Sequence, residues 1–76
     1  MKAILAEIKT LREGSEKDFL KQSVDSAKKY IKLNDRQSLE LIISRLNGLF
    51  DGMTEKGQKI SLKLIAKIME EISKNE

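Results

Sequence analysis

Apolar residues recur every three or four positions along this chain, and the pattern restarts after Gly14, Asn34 and Gly52. Spacing of that kind lines one face of an α-helix, where successive side chains are about 100° apart. The spacing therefore predicts an all-α fold, a small bundle of three to four antiparallel helices in a single domain spanning 1–76, with helices over about 2–12, 16–33, 36–50 and 55–74.

In the first segment Ile4, Ile8 and Leu11 share a face, with Leu5 at its edge. Gly14 supplies the left-handed residue that often ends a helix. Ser15 opens the second segment in a capping-box-like run, Ser15-Glu16-Lys17-Asp18, with Asp in place of the usual Glu or Gln. Its apolar stripe is Leu20, Val24, Ala27 and Ile31, flanked by Phe19 and Tyr30, and it should stop at Asn34. Asp35 is the expected cap of the third helix, where Leu39, Ile42, Ile43, Leu46, Leu49 and Phe50 fall within an arc of about 120°. Thr54 can cap the fourth. Gly57 weakens its first turn, so regular helix starts at either Glu55 or Ser61. Ile60, Leu64, Ile65, Ile68, Met69 and Ile72 form its apolar face, and Asn75 and Glu76 should fray. The connections are short, so neighbouring helices should pack as antiparallel hairpins.

Composition narrows the chemistry. The chain has 76 residues with no His, Cys, Trp or Pro. It therefore lacks the commonest general base, the thiolate nucleophile and the usual transition-metal ligands. No Gly-rich loop has the phosphate-binding spacing, and the acids lie at helix starts or among lysines. Tyr30 reads as a core-edge residue. An enzyme is not expected, nor a cofactor. Residues 51–61 superficially resemble a calcium loop, but counting from Asp51 puts Met53 third and Leu62 twelfth, where oxygen ligands are needed. No metal is expected.

A domain this small buries only about 60% of its unfolded surface, and without disulfides or metals it must rely on helix packing or on self-association. No apolar run approaches the roughly 20 residues of a membrane span, and no signal-peptide pattern is present, so the expected compartment is the cytoplasm. The Lys- and Ile-rich composition suits the AT-rich genome of a phage, a plasmid or a low-GC bacterium.

Net charge is +3, with the excess concentrated in residues 15–34. There Lys17, Lys21, Lys28 and Lys32 form a stripe about 60° wide. Such a row could track phosphates or an acidic partner, or be a solvated face, and Asp18 and Asp25 beside it lower its charge. A helix-turn-helix can also be drawn, with Gly52 in the turn and Gln58, Lys59, Ser61 and Lys63 facing a groove. Against sequence-specific DNA reading stand Gly57 at the start of the recognition helix and a cation set of 12 Lys to 3 Arg.

Two apolar surpluses point elsewhere. On the third helix Leu41 falls off the core arc, on the same side as Gly48, whose lack of a side chain would suit a close backbone approach. On the fourth, Leu62, Ala66 and Met69 widen the apolar face beyond one seam. Either that helix touches two neighbours within its own subunit, or it is shared with a partner. These surpluses lead to the expectation of a small non-enzymatic regulator or adaptor that binds another protein and forms a homodimer. A DNA-binding regulator is the alternative.

Overall fold

The computed structural model describes residues 1–74, and the expected fraying of Asn75 and Glu76 lies outside them. Four α-helices follow one another: α1 (Lys2–Lys9), α2 (Ser15–Leu33), α3 (Arg36–Leu49) and α4 (Glu55–Lys74), with a single 3-10 turn, Phe50–Gly52, between α3 and α4. No strand occurs among the described residues. The fold is the small all-α bundle that the periodicity predicts.

Helices α2 and α4 form a central pair. α1 packs on both from one side and α3 packs on both from the other, so α1 and α3 do not meet. Consecutive helices are joined by short connections. Two reversals of direction bring the N-termini of α2 and α4 together, where the Glu16 carboxylate of α2 accepts from the Thr54 backbone N–H at 2.8 Å and from its hydroxyl at 2.6 Å. α2 and α4 are thus parallel to each other, and each is antiparallel to its chain neighbours.

Each helix contributes its predicted stripe to one core. Ile4 and Ile8 come from α1, Leu20, Val24 and Ala27 from α2, Leu39, Ile42 and Leu46 from α3, and Ile60, Leu64 and Ile68 from α4. Leu5, Leu11, Phe19, Tyr30, Ile31, Ile43, Ile65 and Ile72 close its margins half-buried. Two buried polar side chains have partners: Ser23 donates to the Phe19 carbonyl at 2.8 Å, and Ser61 donates to the Met53 sulfur at 3.0 Å.

The ends of the helices depart from expectation in physically readable ways. α1 stops at Lys9 instead of residue 12, because the Thr10 hydroxyl takes the Glu7 carbonyl at 2.6 Å and the backbone tightens through Thr10 and Leu11 onto Glu7 and Ile8. Gly14 does not end α1. It is the N-cap of α2, at φ 151°, a conformation that side-chain-bearing residues rarely adopt. The capping box expected from Ser15 and Asp18 does not form; α2 has no side-chain cap, and its second residue, Glu16, reaches across to α4.

Two predicted boundaries match. Asn34 is left-handed at φ 55° and ends α2. Asp35 caps α3 by accepting from the Ser38 N–H at 3.1 Å and from its hydroxyl at 2.7 Å. α3 ends at Leu49 and not at Phe50, which begins the 3-10 turn.

α4 begins at Glu55, so Gly57 lies inside it. Gly57 is buried, and a side chain there would come within 2.8 Å of the Glu16 carboxyl carbon. The same turn is closed by the Thr54 hydroxyl, which accepts from the Gly57 N–H at 3.2 Å. Gly57 makes room for the carboxylate that holds the two helix starts together.

Candidate protein-interaction surface

The core line of α4 runs through Gly57, Ile60, Ser61, Leu64 and Ile68. On one flank of that line, Lys56 donates to the Thr10 carbonyl at 3.4 Å, and Lys63 meets both carboxylate oxygens of Glu7 at 2.7 and 2.9 Å. This flank is covered by α1. On the opposite flank, Gln58 donates to the Phe50 carbonyl at 3.0 Å, at the end of α3. Beyond Gln58 and the half-buried Ile65, the helix turns outward into Leu62, Ala66 and Met69, which share an arc of about 60°. All three are exposed, Leu62 to 55% and Met69 to 56%. The predicted surplus on α4 is therefore not taken up by a second neighbour within the subunit. Isolated exposed leucines are ordinary; an apolar row along a helix whose core face is already filled is less so.

Leu41 and Gly48 are exposed as well, Leu41 to 53%. They lie on another surface. Ile42 and Arg45 of α3 line a small cleft with Phe19, Gln22, Ser23 and Ser26 of α2, and Leu41 and Gly48 lie further round on that flank. The structure thus separates them from Leu62, Ala66 and Met69. Among the described residues, nothing beyond its own turn of helix comes within 4 Å of a side chain built at Gly48, so no other element makes a close backbone approach there.

Two exposed leucines escaped the sequence reading. Leu33, 62% exposed, is the last residue of α2. Leu49, 53% exposed, belongs to the core arc of α3 by periodicity but opens onto a cleft of about 260 Å³ with Phe19, Gly52 and Met53. A wheel gives a side chain's direction and not whether a neighbour stands there.

The lysine stripe of α2 is divided. Lys17 is partly buried and held by Glu13 at 2.7 Å, with the Lys9 carbonyl at 3.5 Å. That contact, reinforced by the positive charge of Lys17, holds the Glu13 carboxyl below its usual range. Lys21, Lys28 and Lys32 are exposed. Of the residues that would face a groove in the helix-turn-helix reading, Ser61 is fully buried, Gln58 is half-buried against Phe50, Lys63 is paired with Glu7, and Lys59 lies 3.9 Å from Glu55.

Elsewhere the electrostatics are those of helix ends. Asp35 is held below the usual aspartate range by the Ser38 hydroxyl and N–H. Near the end of α4, hydrogen bonding to Lys67 lowers Glu71, and hydrogen bonding to Glu70 raises Lys74. A shallow cleft of about 350 Å³ lies where α2 and α4 start, among Thr10, Arg12, Ser15, Glu16 and Lys56. Among the described residues, no helix is long and apolar enough to cross a membrane, and no three acidic side chains cluster as metal ligands would.

Compared with models of known families, with characterised proteins and with solved structures, the chain matches none.

Proposed function

We propose that this protein is a small non-catalytic regulator or adaptor that works by protein–protein binding through the outer face of α4, and that it self-associates there. The observation that carries this reading is the exposed row Leu62, Ala66 and Met69 above a core face that is already complete. Met suits such a surface because its flexible, polarizable side chain adapts to different partners. Desolvating an apolar row is the main favourable term in most protein associations. The small size of the domain adds a further gain, since association extends a limited core.

The test is capture of binding partners from host extract, with and without nuclease, by the wild type, by Met69→Lys and by the pair Lys21→Gln and Lys28→Gln. The proposal predicts that Met69→Lys keeps its helical circular dichroism and loses binding, while the lysine pair retains it with little salt dependence. Retention by Met69→Lys, with loss in the lysine pair and a steep fall of affinity with salt, would instead identify a nucleic-acid binder.

A further inference from the structure

We infer that the occupant of the α4 face is a second copy of this chain, seated as an antiparallel α4–α4′ pair about a two-fold axis between Leu62 and Met69. This rests on the proposed binding face and adds its partner and direction. The argument is one of charge complementarity. Lys59 and Glu70 lie on the same edge of the apolar row, about 20° apart on the helix, one turn before Leu62 and one residue after Met69. Both are exposed, Lys59 to 71% and Glu70 to 57%.

In an antiparallel two-fold pair, like edges face each other. When Leu62 meets the partner's Met69, Lys59 comes within about 3 Å, along the axis, of the level of the partner's Glu70, and the symmetry repeats the contact at the other end. The intrahelical contacts that hold these side chains, Lys59 to Glu55 at 3.9 Å and Glu70 to Lys74 at 3.4 Å and to Lys67 at 3.8 Å, lie at the surface and are long enough to exchange at little cost. A parallel pair would set this charged edge against the partner's Gln58 and Ile65 edge, where no countercharge stands. The flanking charges therefore select direction, as they do in coiled coils. The α1 side of α4 does not compete, because Lys63 is fixed to Glu7 there.

The experiment measures self-association of full-length chains by sedimentation, with circular dichroism as a check on helicity. Lys59→Glu and Glu70→Lys should each weaken association about tenfold, because two attractions become two repulsions, and the double variant should restore it. The chain has no native cysteine. An equimolar mixture of Leu62→Cys and Met69→Cys chains should therefore oxidise to the mixed disulfide in preference to either symmetric one. Symmetric disulfides, or a dimer unmoved by single charge reversal, would overturn the antiparallel pairing while leaving the binding face intact. A wild type that stays monomeric would overturn self-pairing altogether; loss of heterologous capture in Met69→Lys would then still support the binding face.

Discussion

The contact between Glu16 and Gly57 makes a counter-intuitive prediction. Gly→Ala inside a helix ordinarily stabilises by about 1 kcal/mol, through backbone entropy. At Gly57 the new methyl would meet the Glu16 carboxyl group, whose carbon lies 2.8 Å from where it must sit. Glu16 is a flexible side chain and would swing away, which spares the backbone but breaks its two bonds to Thr54. Loss of a helix N-terminal cap typically costs about 0.5–2 kcal/mol. Gly57→Ala alone should therefore be close to neutral or destabilising by up to about 1 kcal/mol. In a Glu16→Ala background the obstruction and the cap are both gone, so the same substitution should stabilise by about 1 kcal/mol. The difference between backgrounds is the coupling energy of a double-mutant cycle. Urea unfolding of the four proteins measures it, provided that the slope with denaturant is unchanged. An equal stabilisation by Gly57→Ala in both backgrounds would refute the role assigned to Glu16.

Other substitutions follow from the same structure. Leu46 is fully buried on α3, and Leu46→Ala should cost about 2–5 kcal/mol in urea unfolding by lost transfer energy and cavity formation; an unchanged midpoint would contradict the packing of α3. Asp35 has a lowered pKa, so it contributes stability above the usual aspartate range and loses it as pH falls through its folded-state value. Asp35→Asn keeps a capping oxygen but no titration, so its stability should fall less steeply on the acid side than that of the wild type. Leu41 lies on a separate flank from α4, so Leu41→Lys should leave both helical circular dichroism and self-association unchanged in a light-scattering titration.

How far the sequence could be read depended on the kind of interaction. Burial of Leu20, Val24, Leu46 and Leu64 follows from local periodicity, because a helix fixes the direction of each side chain. The Asn34 and Asp35 boundaries follow from chemistry within a few residues. Gly57 was misread as a weak point because its reason lies 41 positions away at Glu16, and no local rule brings those two residues together. Leu49 differs for a related cause: its direction is right, but the cleft it forms with Phe19, Gly52 and Met53 leaves it half open. The exposed α4 row was legible as a surplus of apolar residues. That it is uncovered required knowing that α1 takes one flank and that α3 leaves the outer part of the other open.

Sedimentation equilibrium of the wild type and of Leu62→Lys at micromolar concentration tests the binding role of α4 most directly. The account predicts twice the 8.7 kDa chain mass for the wild type and the single-chain mass, with helicity intact, for Leu62→Lys. A wild type at the single-chain mass would contradict self-pairing, and a Leu62→Lys chain that stays dimeric or unfolds would contradict the assignment of this face to a partner.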